Sequence, residues 1–318
     1  MGFLNEFILH RHEANPIIRP KDCPFPADAI MNCGQVMHEG KTLLLCSVPY
    51  RGFPFGERNA AGMHIATSED GIHFEIAPEP FITGRTEAPY NTIDWWCIDP
   101  RVTKIDNMYY IVRPGQGPTG PAALLERTKD WKTREFLSCI ALPPNRVPCL
   151  FPEKIGGRYY RLDRPYLATA EEERGSIWLS ASPDLLYWGD HRPLVEPYGP
   201  FPGSYKIGPT TPVKTDEGWL VIIHGVLRSC ADSRYSLSAI LLDLEDPSRV
   251  IGKMRSWILT PDAPYELSGH VSNVVFACGA IPDYEIDRIR VYYGAADTTI
   301  CLASGSLSEL VEACRKQL

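Results

Sequence analysis

The sequence predicts an all-β fold. Its 318 residues include 29 prolines and 25 glycines, which are spread throughout the chain. Segments with helical periodicity are scarce, as expected where residues that disfavour helix interiors are so frequent. What recurs instead is a unit of an apolar strand, a turn rich in Gly, Asp or Asn, and an aromatic or aliphatic strand. Five copies of this unit occupy residues 32–48, 99–114, 150–165, 210–225 and 273–297.

A second element follows several of these units. It consists of a strand that ends in Ser or Thr, a turn that contains Asp, and an aromatic residue. Its copies occupy residues 65–76, 125–137 and 178–191, with a fourth at 239–251. The spacing from turn to turn is about 50–70 residues, as in a four-stranded propeller blade. Any all-β protein contains strand–turn–strand units, but five copies that fill the chain favour a single five-bladed β-propeller domain over residues 1–318.

The segment 306–317 is predicted to be a short C-terminal helix. Ser306 and Glu309 have the spacing of a capping box, in which each side chain bonds to the backbone of the other residue. The helix is expected to pack against the outside of a blade through an apolar stripe. The residues of this stripe are Leu307, Leu310, Val311 and Cys314.

Composition and charge limit the function classes. The net charge is −7 and no block of Lys and Arg occurs, so neither nucleic acid nor a membrane surface is an expected partner. The ten cysteines form no CxxC pair, and several, such as Cys46 and Cys278, lie in apolar runs. Free thiols in a reducing compartment fit this pattern better than disulfides. Because no secretion signal or spanning segment is present, a cytoplasmic location is expected.

Candidate functional residues lie where propellers place them, at the ends of the innermost strands around the central channel. Asp99, Arg164, His224 and Asp297 occupy strand ends in four different units, and we expect them to converge. Asp99 is preceded by apolar residues that would shield its carboxyl group from water, which suits a general acid, although it could also cap the turn before Pro100. Asp297 could bond to sugar hydroxyls.

Basic residues around one hairpin indicate an anion site. Arg146 and Arg164 bracket this hairpin, and guanidinium groups bind phosphate or carboxylate bidentately. Pairing of these arginines with Glu153 or Asp163 is an equally good interpretation of the spacing. Lys206 and His224 are further candidate anion contacts, and a buried hydrogen-bonded core residue is the other interpretation of His224. Trp95 and Trp96 could either stack on sugar rings or pack in the core.

Other motifs give no support to cofactor or metal chemistry. The pattern GxGxxG at 115–120 contains a proline and precedes no amphipathic helix, so it does not predict a dinucleotide site. No metal-binding motif occurs, and no metal is expected.

Several long motifs, in order along nearly the whole chain, resemble glycoside hydrolase family 130. They are EANPIIRP (13–20), DPRVT (99–103), NRVPCLFPEKIGGRYYRLDRP (145–165), KIG (206–208), GWLVIIHGV (218–226), YSLSAILLDLEDPSRVI (235–251), PYELSGHVSNVVFACG (264–279) and YYGAADT (292–298). The resemblance implies a five-bladed propeller that acts as an inverting phosphorylase on β-mannosides. The most similar branch cleaves β-1,4-manno-oligosaccharides or the mannosyl link to glucose or N-acetylglucosamine. Inorganic phosphate would be the co-substrate, without a cofactor, and a homo-oligomer is expected.

The resemblance also implies residue roles. Asp99 would be the general acid, which protonates the leaving oxygen through a hydroxyl group of the mannose. The phosphate-binding set would be Arg146, Arg164, Lys206 and Tyr235, with His224 beside it. Asn32 and Asp297 match positions that hold the sugar in the family, and the further expected sugar contacts are Arg51, Trp96, Arg101 and His270.

Three departures from the family pattern concern the sugar side. Ser47 replaces an arginine, for which Arg51 or Arg58 could substitute. The loop after Lys206 is shortened to KIGPTTP, and His270 replaces an aspartate. Two alternatives therefore stay open. One is a hydrolase or transglycosidase that uses Glu153 or Glu266 as a base, and the other is a propeller that binds carbohydrate without catalysis.

Overall fold

The computed structural model describes residues 7–54, 56–168, 173–197, 204–228 and 232–316. Within these ranges the chain forms 24 β-strands in four sheets and two short α-helices, which confirms the all-β prediction. The first strand is β1 (His10–Arg11). The next four strands form a sheet in chain order, and they are β2 (Met31–His38), β3 (Lys41–Pro49), β4 (Ala61–Ser68) and β5 (Glu75–Ile76).

The second sheet has five strands. They are β6 (Trp96–Cys97), β7 (Arg101–Ile105), β8 (Met108–Gln116), β9 (Ala122–Thr128) and β10 (Glu135–Ala141). Strands β6 and β7 both pair with β8, one after the other, so residues 98–100 form a break in this side of the ladder. Pro100 has no backbone N–H and cannot donate to a ladder, which helps to explain the break.

The third sheet has ten strands. They are β11 (Asn145–Leu150), β12 (Tyr159–Ala168), β13 (Glu173–Gly175), β14 (Ile177–Ser182), β15 (Gly189–Val195), β16 (Ser204–Pro209), β17 (Val213–Thr215), β18 (Gly218–Arg228), β19 (Ser233–Leu242) and β20 (Val250–Lys253). Its two halves, β11–β15 and β16–β20, join through one parallel pairing between β13 and β16, at Gly175 and Lys206.

The last sheet joins the two ends of the described chain. Its strands are β21 (Val275–Ala277), β22 (Ile281–Asp283), β23 (Arg288–Ala295) and β24 (Thr299–Ser306), and β1 pairs with β24. The helices are α1 (Pro264–Leu267) and α2 (Leu307–Lys316). Helix α2 confirms the predicted C-terminal helix: all four residues of its stripe are buried, and the backbone N–H of Glu309 bonds to Ser306 Oγ at 3.1 Å.

Hydrophobic clusters fill the spaces between successive sheets. Leu45 and Ile111 belong to a cluster that the first two sheets share, and Val112 and Leu150 belong to one that the second and third sheets share. A third cluster lies between the two halves of the ten-stranded sheet, and a fourth connects β16–β20 with the last sheet. The fifth cluster packs the last sheet against the first, for example through Ile300 and Leu44.

The cysteines follow the prediction of free thiols wherever the structure describes them. Nine are unpaired, and seven of these are buried; Cys230 lies outside the described residues. No helix in the described ranges is long and apolar enough to cross a membrane.

Candidate active site

A cavity of about 430 Å³ brings together residues from all four sheets. Twelve residues have an expected catalytic, phosphate-binding or sugar-contact role, and nine of them line the cavity. They are Asn32, Trp96, Asp99, Arg146, Arg164, Lys206, His224, Tyr235 and Asp297. The expected convergence of strand ends from different units is therefore present.

Two carboxyl groups that line the cavity share an amide, and these three residues are called here the carboxyl end. Asn32 Nδ2 donates to Asp99 Oδ1 at 2.9 Å and lies 3.4 Å from Asp297 Oδ1. Burial, with a further contribution from the negative charge of Asp99, raises the pKa of Asp297 to about 7. At neutral pH the site therefore contains a carboxyl group that readily exchanges a proton beside Asp99.

Irregular backbone directs these three side chains into the cavity. Asn32 lies in a bulge of β2, Asp99 lies in the break between β6 and β7, and Asp297 lies in the turn between β23 and β24. All three have positive φ values, of 44°, 54° and 47°. Asn and Asp tolerate this conformation better than most residues, and bulges commonly redirect side chains beside active sites. The residue types thus match the backbone that the site requires.

The raised pKa of Asp297 predicts a pH dependence of stability. Between its usual pKa of 3.8 and about 7, the folded protein holds a proton that the unfolded chain has released. The free energy of unfolding should therefore fall as pH rises through this window. We expect Asp297→Asn to flatten the fall, as measured by chemical denaturation at several pH values. Asp106→Asn, which changes an exposed turn residue, is the control and should keep the wild-type slope; an unchanged slope in Asp297→Asn would contradict the prediction.

Three basic residues also line the cavity, and they are called here the cationic end. Arg146, Arg164 and Lys206 form no ion pair with any carboxylate in the described part of the chain. The alternative partners are engaged elsewhere, because Glu153 pairs with Lys214 and Asp163 pairs with Arg161, each at 2.6 Å. The three positive charges therefore face a cavity without a described protein counter-ion, as in an anion-binding site.

Arg164 is the buried cation of this set. Burial lowers its pKa to about 10, and the positive charges of Arg146 and Arg101 contribute to this, although Tyr235 opposes it. Arg164 Nη1 lies 3.0 Å from His224 Nε2. Burial, together with the charges of Arg164, Arg101 and Lys206, lowers the pKa of His224 well below its usual range. A neutral His224 therefore accepts this hydrogen bond, which leaves the ring proton on Nδ1.

Aromatic rings and glycines fix the cationic end. Lys206 Nζ lies 5.4 Å from the ring centre of Tyr235 and 5.0 Å from that of Tyr205, within the range of cation–π attraction. A Cβ atom at Gly208 would lie 2.4 Å from His224 Cε1, and one at Gly175 would lie 2.7 Å from Arg164 Cδ. Glycine at these two positions thus permits the close approach of the basic side chains.

The sequence profile of glycoside hydrolase family 130, described as β-1,4-mannooligosaccharide phosphorylase, matches residues 54–316. The chain belongs to glycoside hydrolase family 130. It is 34% identical over 311 residues to the β-1,4-mannooligosaccharide phosphorylase of Ruminococcus albus, and the aligned region covers 96% of this chain and 90% of that protein. It is 39% identical over 254 residues to the β-1,2-mannobiose phosphorylase of Listeria innocua, and the aligned region covers 78% of this chain and 67% of that protein.

A solved family 130 structure has the same fold. It is the β-1,2-mannobiose phosphorylase from Listeria innocua in complex with β-1,2-mannobiose, with a TM-score of 0.84 and 31% identity. The superposition covers 97% of this chain and 99% of that chain.

Three residues with an expected sugar contact do not line the cavity. Arg101 is fully buried, and its Nη1 donates to the carbonyl oxygen of Asp99 at 2.7 Å. Arg51 is exposed and pairs with Asp28 at 3.3 Å, and the exposed His270 has Nε2 3.4 Å from the carbonyl oxygen of the same Asp28. Arg51 and His270 thus share a surface neighbour, and their contact with sugar stays a prediction.

Other lining residues were missed in the sequence. Tyr166 and Phe276 line the cavity beside residues that were found. Tyr166 lies two positions after Arg164 in β12, so the alternation of side chains along a strand places both on one face. The alternation along this strand could therefore have predicted Tyr166 as a lining residue. The sequence left the role of Trp96 open between core packing and the site. Trp96 lines the cavity, and it also packs in a small apolar cluster with 8% of its surface exposed.

Proposed function

We propose that this family 130 protein is an inverting β-mannoside phosphorylase. It transfers a mannosyl group to inorganic phosphate and forms α-mannose 1-phosphate and a shortened saccharide. The observation that carries the proposal is the lining of one cavity. Asp99 lines it together with Arg146, Arg164 and Lys206, which have no carboxylate partner in the described part of the chain.

In this reaction the cationic end holds phosphate in line with the anomeric carbon, with Tyr235 and neutral His224 beside it. The bond from the anomeric carbon to the glycosidic oxygen breaks while a bond to a phosphate oxygen forms. Asn32 bonds to Oδ1 of Asp99, so Oδ2 is the oxygen that would carry the proton to the departing sugar through a mannose hydroxyl. Asn32 and Asp297 would hold the mannosyl ring. Binding phosphate and sugar together reduces the entropic part of the barrier.

The positions of the candidate bases favour phosphorolysis over hydrolysis. Glu153 pairs with Lys214, and buried Glu266 accepts hydrogen bonds from Arg11 and Tyr293. Neither glutamate lines the cavity. An inverting hydrolase needs a carboxylate that activates water on the face opposite to the general acid. Asp297 does not fit that role, because its carboxyl group lies near the Asn32 amide that also bonds to Asp99. Asp297 is therefore beside the proposed general acid, not opposite to it.

The substrate linkage is the finer part of the proposal. The relatives named above act on β-1,4- and β-1,2-linked mannosides. We keep β-1,4-linked manno-oligosaccharides as the first candidate, with mannosyl-glucose and mannosyl-N-acetylglucosamine as further candidates. A cytoplasmic location fits the nine free cysteines, and a homo-oligomer belongs to the same proposal.

We also propose that the whole chain forms one five-bladed propeller. The five hydrophobic clusters support this, because they connect five groups of strands in cyclic order when the ten-stranded sheet is counted as two halves. The single pairing between those halves supports the same count.

The function is tested by incubating the protein with β-1,4-mannobiose, β-1,2-mannobiose and mannosyl-glucose, each with and without phosphate. Mannose 1-phosphate that forms only with phosphate is the expected product. Free mannose in the absence of phosphate would instead identify a hydrolase. Binding of a saccharide without either product would identify a carbohydrate-binding protein.

The close contact of Gly294 with Asn32 gives a prediction for the same assay. A Cβ atom at Gly294 would lie 2.0 Å from Asn32 Oδ1, so Gly294→Ala should displace the amide from both carboxyl groups. We expect kcat to fall roughly 10–100-fold, since small misplacements of catalytic groups have effects of this size. Gly189→Ala, where a Cβ meets nothing within 4 Å, is the control. Wild-type kcat in Gly294→Ala would contradict the expectation.

A further inference from the structure

Ser47 lies behind the carboxyl end of the cavity, in β3, and is fully buried. We propose that Ser47 is a positioning residue for Asp99, and that its hydroxyl group fixes the backbone from which the general acid projects. This inference rests on the proposed function, because it concerns how Asp99 is aimed in that reaction.

A closed ring of hydrogen bonds joins Ser47, Asn32 and Asp99. The backbone N–H of Asp99 donates to Ser47 Oγ at 2.9 Å, and Ser47 Oγ donates to the carbonyl oxygen of Asn32 at 2.9 Å. Asn32 Nδ2 then donates to Asp99 Oδ1 at 2.9 Å. One hydroxyl group therefore connects the two residues whose side chains meet in the cavity.

The backbone around Asp99 explains why such a contact is needed. Asp99 lies in the break between β6 and β7 and has a φ of 54°, so its N–H is outside the strand ladder. A buried N–H requires an acceptor, which Ser47 Oγ provides. Arg101 Nη1 binds the carbonyl oxygen of Asp99 at 2.7 Å. Both backbone polar groups of Asp99 are thus held by side chains, one on each side of the carboxyl-bearing carbon.

Ser47 does not line the cavity, so it acts on the reaction only through Asp99 and Asn32. Without the hydroxyl group, the N–H of Asp99 and the carbonyl of Asn32 would both lose a partner. Residues 98–100 would relax, and the carboxyl group would shift relative to the leaving oxygen. The described hydrogen bonds of Ser47 reach only Asn32 and Asp99, so the phosphate-binding residues should keep their positions. This separation predicts a selective kinetic effect.

The test compares Ser47→Ala with Ser238→Ala. Ser238 is the matched control, because it is also a fully buried strand serine whose Oγ donates to a backbone carbonyl, that of Ser256, at 2.9 Å. We expect Ser47→Ala to lower kcat roughly 10–100-fold, the effect of misplacing a catalytic group. The KM values for phosphate and for the mannoside should stay within about 3-fold of wild type, because binding is intact. Ser238→Ala should keep wild-type kcat.

Two further measurements separate positioning from general damage. Ser47→Thr keeps the hydroxyl group and should recover most of the lost kcat. With 2,4-dinitrophenyl β-mannoside, whose leaving group needs no proton, the deficit of Ser47→Ala should shrink. If Ser47→Ala does not fold, Ser47→Cys provides a second variant. Its thiol has a similar shape but forms only a weak hydrogen bond, so kcat should again fall while the KM values stay near wild type.

The inference is overturned if Ser47→Ala and Ser238→Ala have equal kcat values, or if the KM for phosphate rises in step with the loss of kcat. Failure of the underlying function looks different, because the wild-type protein would then form no mannose 1-phosphate.

Discussion

Asp99→Asn is expected to lower kcat for phosphorolysis roughly 10²–10⁴-fold, the usual contribution of a general acid. The amide cannot supply the proton that the leaving oxygen requires. The fold should persist, because asparagine has nearly the same shape and tolerates the φ of 54° at this position. Release of mannose 1-phosphate measures the rate, and thermal unfolding measures the fold.

Asp106→Asn is the control for this substitution. Asp106 has a φ of 53° in the exposed turn between β7 and β8, next to the same segment of chain, so the chemical change is identical but lies outside the cavity. We expect wild-type turnover from this variant. If Asp99→Asn retained near wild-type phosphorolysis, Asp99 would not be the general acid.

Arg164→Met is expected to lower the efficiency of the reaction with phosphate. Loss of one donor aimed at negative charge typically lowers rates roughly 10²–10³-fold, and here kcat/KM for phosphate should fall by about this factor. Stability should stay the same or rise, because Arg164 is a buried charge without a described carboxylate partner and with Arg146 and Arg101 nearby. Phosphate should also raise the Tm of the wild-type protein much more than that of the variant.

The neighbouring Arg161 provides a matched control on the same strand. It is buried like Arg164, but it pairs with buried Asp163 at 2.6 Å. Arg161→Met leaves that carboxylate without its partner and should destabilise the protein by about 3–5 kcal/mol. The two substitutions are chemically identical and should change stability in different ways. A wild-type KM for phosphate in Arg164→Met would remove the phosphate site from its proposed place.

Local patterns allowed much of the fold to be predicted. The hairpin of β7 and β8 could be found because an Asp–Asn turn separates two apolar segments, and helix α2 could be found from its cap and stripe. Strand ends also indicated that Arg164 and His224 would approach each other, which they do at 3.0 Å. These features depend on short-range chemistry that the residue types express directly.

The carboxyl end of the site could not be predicted in the same way. The bond between Asn32 and Asp99 depends on a bulge in β2 and a break before β7, and no single residue type signals where a ladder slips by one position. The importance of Ser47 has the same origin, since its partners are fixed by strand register. Arg51 was predicted from proximity in sequence; it is exposed and bonds to Asp28, and its contact with sugar stays a prediction.

The distance in sequence between Asn32 and Asp297 has a consequence for biosynthesis. Asn32 and Asp297, whose side chains approach each other, are separated by 265 positions. Ribosomes add roughly 5–20 residues per second, so this separation corresponds to roughly 13–50 s of translation. Throughout that time the nascent chain carries Asn32 without Asp297, and β1 lacks its partner strand β24. Mannose 1-phosphate formation would therefore report that the last sheet has closed on the first strand.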